Sequence, residues 1–228
     1  MGTLYIVATP IGNLKDITYR AIEVLKSVDY ILCEDTRVTG SLLNRYGFKT
    51  ALLSFNEFNE NFKSDSAIND LVTGKSIALV SDAGSPLISD PGYKLVRACI
   101  LKGIKVEAIP GPSAAVSALI ISGLPPDKFL FLGYLPKKPG QRKNILKSLS
   151  SILRSMVDKK LKATIIIYES PYRLTATLQD LREIFGNIDI IICRELTKMH
   201  EEVRREKISE SIDHFSNVTP KGEFTILF

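Results

Sequence analysis

The stretch Val-Ser-Asp-Ala-Gly-Ser-Pro-Leu-Ile-Ser-Asp-Pro-Gly, residues 80–92, is the part of the sequence that best indicates the fold. It follows an apolar run at residues 76–80 and precedes a helical pattern that begins at Pro91. An apolar run that ends in small residues, Asp and Pro predicts a buried strand, a loop and a helix. Loops at the carboxyl ends of parallel strands bind small molecules in open α/β sheets, so we expect a ligand here. An ordinary connecting loop has the same composition, and this alternative stays open for the stretch taken alone.

Two further loops of this kind follow predicted strands. The strand at residues 4–8 runs into Thr-Pro-Ile-Gly-Asn, and the strand at residues 104–109 runs into Pro-Gly-Pro-Ser-Ala. If the strands are parallel, all three loops lie at one edge of the sheet and can surround one ligand. Another strand, at residues 30–33, ends in Glu-Asp-Thr-Arg, which places two acids and a base at the same edge.

The alternation of strands and helices predicts an α/β fold with two domains. Gly-Leu-Pro-Pro at residues 123–126 is the best boundary, because Gly and paired Pro end a helix, and it gives domains of residues 1–122 and 123–228. Helices are expected to begin at Asp16, near Thr39 and at Ser170. The second half is predicted to hold a basic helix at residues 140–158, a charged segment at 201–207, a short helix at 209–215, and strands at 129–132, 163–168, 188–193 and 223–228.

Charge and composition narrow the class of protein. Lys and Arg number 30 against 25 Asp and Glu, a net charge of +5 that modestly favours a polyanionic partner. The excess is concentrated in one basic stretch, which either binds a polyanion or is the solvated face of a helix. That stretch, residues 137–162, contains Lys137, Lys138, Arg142, Lys143, Lys147, Arg154, Lys159, Lys160 and Lys162 against the single acid Asp158.

The cysteine, histidine and hydropathy patterns exclude several classes. Cys33, Cys99 and Cys193 are far apart and lie in or near apolar runs, which indicates buried thiols in a reducing compartment. With only two histidines and no Cys-x-x-Cys, no metal site is expected. No apolar stretch approaches the ~20 residues of a membrane span, so we expect a cytoplasmic protein.

Several catalytic and cofactor motifs are absent. The sequence contains no Gly-x-Gly-x-x-Gly after the first strand, no Gly-x-x-x-x-Gly-Lys-Ser/Thr and no Gly-x-Ser-x-Gly. Dinucleotides, nucleoside triphosphates and hydrolase chemistry are therefore disfavoured. Small, proline-rich loops suit a ligand without a large negative charge, such as S-adenosylmethionine.

Eight short motifs, in order along the whole chain, resemble the tetrapyrrole methylase fold and, within it, the ribosomal RNA small subunit methyltransferase I group. The motifs are Leu-Tyr-Ile-Val-Ala-Thr-Pro-Ile-Gly-Asn-Leu from Leu4, Glu-Asp-Thr-Arg from Glu34, Ala-Leu-Val-Ser-Asp-Ala-Gly-Ser-Pro-Leu-Ile-Ser-Asp-Pro-Gly from Ala78, Pro-Gly-Pro-Ser-Ala from Pro110, Gly-Tyr-Leu-Pro-Lys-Lys from Gly133, Tyr-Glu-Ser-Pro-Tyr-Arg-Leu from Tyr168, Arg-Glu-Leu-Thr-Lys from Arg194 and Lys-Gly-Glu-Phe from Lys221.

The resemblance implies two α/β domains with a cleft for S-adenosyl-L-methionine between them. It also implies a homodimer that methylates the 2′-oxygen of a cytidine ribose in 16S ribosomal RNA, on the 30S subunit, with no DNA or membrane partner. The donor contacts that it implies are Pro10, Asp82, Ala83, Gly84, Ser85, Ile88, Ser113, Ala114, Tyr168 or Glu169, and Leu196.

The sequence departs from the family at four positions where other members carry histidine. These positions hold Val38, Asn56, Phe58 and Tyr172, so a histidine base there is excluded. We hypothesise that Asp35 or Glu57 accepts the hydroxyl proton, with Lys198 stabilising the developing alkoxide. The residues expected to contact RNA are Arg37, Tyr134, Lys137, Lys138, Arg142, Lys143 and Arg173, with Tyr134 stacking on a base.

Two other functions remain open at this point. A tetrapyrrole methyltransferase of the same fold would keep the donor loops, but the basic stretch and Glu-Asp-Thr-Arg favour RNA. A donor-binding, ribosome-associated protein without catalysis is the second alternative, and the absent histidines support it.

Overall fold

A computed structural model describes residues 1–158 and 161–228. The chain consists of two compact units, unit 1 at Met1–Ser113 and unit 2 at Ala114–Phe228. The boundary after residue 122 that the sequence suggests stays a prediction. The helix before that boundary, residues 114–122, packs on two strands of unit 2.

Unit 1 is a parallel five-stranded sheet with helices between its strands. The strands occur in the order β3-β2-β4-β1-β5, and each neighbouring pair is parallel. All three proline-rich loops therefore follow strands at one edge, as predicted. The elements are β1 (Thr3–Val7), α1 (Tyr19–Ser27), β2 (Tyr30–Cys33), α2 (Thr36–Arg45), β3 (Ala51–Ser54), α3 (Glu60–Val72), β4 (Ile77–Leu79), α4 (Tyr93–Leu101) and β5 (Lys105–Ile109).

The strands of unit 1 form because short apolar runs can be covered by helices on both faces. All four residues of β2 and all three of β4 are buried. The core on one face includes Leu79 and Leu95, and the core on the other includes Val7 and Leu25.

Two helix starts in unit 1 differ from prediction, and a third helix was not predicted. The helix expected from Asp16 begins at Tyr19, because the Thr18 side chain caps it by accepting from Ala21 N–H, and Asp16 lies in a short 3₁₀ turn. The helix expected near Thr39 begins earlier, with Asp35 as its N-cap. Helix α3 was not predicted, because its first two turns are mostly polar and its apolar periodicity is weak.

Unit 2 is a mixed sheet in the order β6-β7-β10-β8-β9. β6 and β7 are parallel, whereas β10 is antiparallel to β7 and to β8. The carboxyl ends of β6, β7 and β8 consequently share one edge. The elements are α5 (Ala114–Ser122), β6 (Phe129–Tyr134), α6 (Pro139–Asp158), β7 (Thr164–Glu169), α7 (Leu174–Phe185), β8 (Asp189–Arg194), β9 (Glu202–Lys207), α8 (Ile208–Asn217) and β10 (Phe224–Leu227).

Two elements of unit 2 also differ from prediction. The charged segment at residues 201–207 contains the edge strand β9, whose charges pair along the strand, as Arg204 does with Glu202 and Glu206. Helix α7 begins at Leu174 instead of Ser170, because residues 171–173 form a turn. The basic helix α6 forms as predicted, although Lys159 and Lys160 of the basic stretch lie outside the described residues.

Within residues 1–158 and 161–228, no helix is long and apolar enough to cross a membrane. The same residues contain no group of His, Cys, Asp and Glu that could hold a metal ion. All three cysteines are buried and free.

Candidate active site

The three proline-rich loops of unit 1 are joined by direct hydrogen bonds. Thr9 N–H donates to Gly84 O at 2.8 Å, and Gly84 N–H donates to Thr9 O at 3.0 Å. The Thr9 hydroxyl donates to Ser81 O at 3.1 Å, and Ser85 Oγ donates to Pro112 O at 3.3 Å. The loops after β1, β4 and β5 therefore form one cluster, which the parallel topology alone would not guarantee.

Gly84 is required at this junction by both conformation and space. Its φ of +79° lies in the left-handed region, which glycine adopts without strain. A Cβ atom there would stand 3.3 Å from Ile11 Cγ2 and 3.7 Å from Pro112 O. The backbones of the three loops approach closely because this position has no side chain.

A pocket of about 460 Å³ lies beside the loop cluster in unit 1. This volume falls within the range of about 300–1,000 Å³ typical of small-molecule sites. Among the predicted site residues, Pro10, Asp35, Arg37 and Asp82 line it, together with Thr9 and Ser81 of the joined loops. The pocket walls thus come from the ends of β1, β2 and β4.

Carboxylates give this edge of unit 1 a negative character. Asp82 Oδ1 accepts from Asp35 N–H at 3.0 Å. Burial, with a smaller contribution from the Asp35 carboxylate, raises the pKa of Asp82 above its ordinary value despite that hydrogen bond. Burial and the Asp82 charge raise the pKa of Asp90 to about 6. The edge is therefore suited to a ligand that carries positive charge.

Asp35 has a structural role at the start of a helix. It is the N-cap of α2, where its carboxylate accepts from Arg37 N–H at 2.8 Å and from the Arg37 guanidinium. These hydrogen bonds lower the pKa of Asp35 to about 2. A carboxylate with so low a pKa is a weak base near neutral pH. Arg37 is thereby paired with Asp35, although its side chain is 89% exposed.

The remaining predicted residues of unit 1 do not line the pocket. Ala83 and Ile88 are both exposed in the loop at residues 80–92. Ser113 is half-buried at the end of the unit. Glu57 is exposed in the turn between β3 and α3.

The loop at residues 80–92 is held at its far end by helix α3. Gly92 N–H donates to Glu60 Oε1 at 3.0 Å, and the Glu60 side chain is 10% exposed. Leu87 and Ser89 have φ values of 71° and 72°, a strained region for residues other than glycine. Such strain persists only where the surrounding structure enforces it, and it often marks a ligand loop.

In unit 2, the end of β7 carries a fully buried carboxylate. Glu169 accepts from Ser170 N–H at 2.8 Å, from Thr177 Oγ1 at 2.6 Å and from Arg173 Nη2 at 3.0 Å. These bonds occupy both carboxylate oxygens, so the Glu169 side chain has a structural role. The adjacent Tyr168 accepts from Ala115 N–H at 3.1 Å through its hydroxyl, and Ala114 precedes that contact as the first residue of α5.

The loop after β8 holds Lys198 between two carboxylates. Its ammonium lies 2.9 Å from Glu195 Oε1 and 2.9 Å from Glu223 Oε2. Burial alone would lower the pKa of Lys198, but the two glutamates raise it overall. Glu195 and Thr197 have positive φ values, and Leu196 between them is buried. Lys198 is therefore charged and held in place.

The residues predicted to contact RNA fall into two groups. Arg142 is buried, with its Nε 2.6 Å from Asp180 Oδ2, so it stabilises the fold and does not belong to the exposed cationic surface. Lys143 lies 2.6 Å from Glu183. Lys137 and Lys138 are exposed, and Tyr134 is 51% exposed.

Sequence reasoning missed the roles of Asp90 and Glu60. Asp90 lies in the loop at residues 80–92, but only the structure shows that burial beside Asp82 raises its pKa. Glu60 begins a helix that the sequence pattern did not reveal. A carboxylate at a helix start is an ordinary feature, so no local signal pointed to the contact with Gly92.

The chain resembles known proteins over its whole length. Residues 3–211 match the family described as Tetrapyrrole (Corrin/Porphyrin) Methylases. The chain is 50% identical to the Ribosomal RNA small subunit methyltransferase I of Thermotoga maritima, over 100% of this chain and 98% of the relative. It is also 50% identical to the protein of that name from Halalkalibacterium halodurans, over 99% of this chain and 75% of the relative.

Solved structures support the same fold at low sequence identity. A diphthine synthase aligns with a TM-score of 0.73 at 14% identity, over 100% of this chain and 90% of that one. A uroporphyrin-III-C-methyltransferase from Thermus thermophilus aligns with a TM-score of 0.66 at 19% identity, over 100% of this chain and 94% of that one.

Proposed function

Because the chain belongs to the tetrapyrrole methylase family, with relatives named ribosomal RNA small subunit methyltransferase I, we propose that it methylates 16S ribosomal RNA. The acceptor is the 2′-hydroxyl of a cytidine ribose in the small ribosomal subunit, and the donor is S-adenosyl-L-methionine, as for the family. The protein acts as a homodimer in the cytoplasm. The observation that carries the proposal is the loop cluster of unit 1, where reciprocal bonds between Thr9 and Gly84 form one wall beside a ligand-sized pocket.

The residues of unit 1 fit this donor. S-adenosylmethionine presents a sulfonium and an ammonium, and the Asp82 carboxylate in the pocket wall is a suitable partner for positive charge. The donor supplies a methyl group on a positively charged sulfur. In unit 1 the residues proposed to hold it are Pro10, Asp82, Ala83, Gly84, Ser85, Ile88 and Ser113. The donor contacts in unit 2 stay predictions; they are Ala114, Tyr168, Glu169 and Leu196.

We place the proton acceptor for the ribose hydroxyl on Asp90 instead of Asp35, because Asp90 interacts with Ser81 and Asp82, two residues that line the pocket. A base works best when its pKa is close to the working pH, and the pKa of about 6 for Asp90 meets this condition. The pKa of about 2 for Asp35 does not. Glu57 remains the exposed alternative, and Lys198, charged and held by two glutamates, is the proposed partner for the developing alkoxide.

The test is methyl transfer from labelled S-adenosylmethionine to 30S particles from cells that lack the endogenous activity. Label on a single cytidine 2′-oxygen would support donor, substrate and reaction together. Label on a base, or transfer to a corrin or porphyrin but not to 30S particles, would contradict the proposal. Sedimentation of the purified protein tests the dimer.

Donor binding is measured separately by calorimetry. Asp82→Asn should weaken S-adenosylmethionine binding about tenfold or more, because a hydrogen bond or ion pair to a charged group contributes roughly 1.5–3 kcal/mol. The matched control is Asp65→Asn, an exposed aspartate of α3, which should leave the affinity unchanged. Equal affinities for the two variants would remove Asp82 from the donor site.

A further inference from the structure

Aromatic and cationic side chains meet at the carboxyl edge of the sheet in unit 2. Tyr134 ends β6, and Lys137 and Lys138 follow in the connection to α6. Tyr172 lies in the turn after β7. Since β6 and β7 are parallel neighbours, with Tyr134 paired to Tyr168, both connections leave the sheet on the same side. We call these four residues the edge patch.

The aromatic rings of the edge patch are presented to solvent. Tyr172 is 97% exposed, so its ring contributes almost nothing to the core. Tyr134 is 51% exposed, and its ring packs edge-on against Tyr168 at a centroid distance of 5.7 Å. The Tyr134 ring is thus held at a defined angle, and the Tyr172 ring is open on both faces.

The lysines of the edge patch differ from the other basic residues of the stretch. Both are exposed, and neither forms an ion pair with any carboxylate that the structure describes. Arg142 and Lys143, by contrast, are engaged by Asp180 and Glu183. The edge patch therefore carries positive charge that no described acidic side chain neutralises.

A partly buried brace joins the two connections that carry the edge patch. Arg173 Nη2 donates to Leu135 O at 2.6 Å and to Glu169 Oε2 at 3.0 Å. Leu135 follows Tyr134, and Arg173 follows Tyr172, so this contact sets the spacing of the two aromatic residues. Glu169 is itself fully buried and bound by Thr177. Preorganisation of this kind reduces the entropy lost when a ligand binds.

We propose that the edge patch binds a single-stranded segment of RNA, with nucleobases stacked on Tyr172 and Tyr134 and phosphates contacted by Lys137 and Lys138. The proposal rests on the proposed function, in that it takes RNA as the substrate. Stacking of bases on aromatic rings beside cationic side chains is how proteins bind single strands, whereas duplex RNA buries its base faces. Lysine is depleted in the centres of protein interfaces, which argues against a protein partner. Arg173 is a positioning residue.

The test measures binding of a fluorescein-labelled, 12-nucleotide, cytidine-rich single-stranded RNA to the full chain by anisotropy, without methyl donor. Tyr172→Ala should weaken binding about fivefold or more, since stacking contributes ~1–3 kcal/mol per base. Tyr172→Phe keeps the ring and should bind within about twofold of the unchanged protein. The matched control is Tyr19→Ala, another exposed tyrosine, which should have no effect.

The lysines are tested through salt dependence. Lys137→Gln with Lys138→Gln should reduce the slope of log affinity against log salt by about 1.4, because each phosphate contact on a single strand contributes roughly 0.7. The control pair is Lys49→Gln with Lys102→Gln, two exposed lysines of unit 1. An equal change of slope in both pairs would show a general charge effect and overturn the assignment.

The outcomes separate this proposal from the proposed function. Methyl transfer to 30S particles by the unchanged protein, with Tyr172→Ala binding and transferring equally well, would overturn the edge patch and leave the function intact. Loss of RNA binding in Tyr172→Ala, with no transfer to 30S particles by the unchanged protein, would support the patch and contradict the function. Preference for a duplex of the same length, or a change only in the oligomeric state of Tyr172→Ala, would also overturn the patch.

Discussion

Replacement of Gly84 by alanine tests whether the loop junction controls donor binding. A residue with a Cβ at φ +79° lowers the free energy of unfolding of the protein by about 1–2 kcal/mol. The new Cβ would also lie 3.3 Å from Ile11 Cγ2, which must move by a few tenths of an ångström. Because Gly84 and Thr9 exchange two backbone hydrogen bonds, relief of this strain separates the loops beside the pocket. We expect donor affinity to fall about fivefold or more, equivalent to about 1 kcal/mol.

Gly103→Ala is the matched control for conformational strain alone. Gly103 has φ +68°, and a Cβ there would meet nothing within 4 Å. In urea, the free energy of unfolding should fall by about 1–2 kcal/mol in both variants. The fall should be the larger one in Gly84→Ala. Calorimetry with S-adenosylmethionine should show weaker binding for Gly84→Ala only. If donor affinity is unchanged in Gly84→Ala, or equally reduced in both, the idea that the junction shapes the donor site is wrong.

Three further substitutions address charges. Burial raises the pKa of Asp90 from 3.8 to about 6, so the stability that its protonated form contributes is present below pH 4 and is lost as the pH rises through 6. The free energy of unfolding of Asp90→Asn should therefore rise by ~1–2 kcal/mol relative to the unchanged protein between pH 4 and 7, after allowance for partial exposure. A difference that does not depend on pH would refute this. Arg142→Gln removes the buried ion-pair partner of Asp180 and leaves it only the 3.6 Å contact with Lys143, so the free energy of unfolding in urea should fall by about 3 kcal/mol, with RNA affinity at low temperature unchanged. A stable variant with weak RNA binding would reverse the assignment. Asp35→Asn keeps an N-cap of similar strength, so its rate of methyl transfer should stay within about twofold of that of the unchanged protein. Loss of turnover with intact donor binding would restore Asp35 as the base.

The strands of unit 1 were predictable because their signal is local. β2 and β4 are buried on both faces and read as short apolar runs between turn residues. The parallel arrangement then placed three loops at one edge without further information. Strand β9 escaped prediction because its sequence, Glu-Val-Arg-Arg-Glu-Lys, contains one apolar residue and lies at the sheet edge, where little burial is required.

The site was less predictable because the state of a charged side chain depends on which groups it pairs with in the folded chain. Arg142 and Lys138 look equivalent in the basic stretch, yet Asp180, 38 residues away from Arg142, makes one of them a buried structural residue. Asp35 looked like a base at a strand end, but the helix start beside it converts it to a cap. The Arg142 contact is tertiary and local patterns do not encode it, whereas the Asp35 cap is local and was missed because the start of α2 was predicted too late.

The strand order of unit 1 also constrains when the protein can assemble during synthesis. β1 is the first strand to leave the ribosome, yet it lies between β4 and β5 in the sheet. Its pairing partners begin at residues 77 and 105, so β1 has no neighbour in the sheet until most of the unit has been made. The Thr9 to Gly84 junction likewise joins residues 75 positions apart. Long-range pairing of this kind slows folding and leaves apolar segments exposed meanwhile. The pocket beside the loop cluster is therefore completed only late in synthesis, after β4 and β5 have been made and have paired with the first strand.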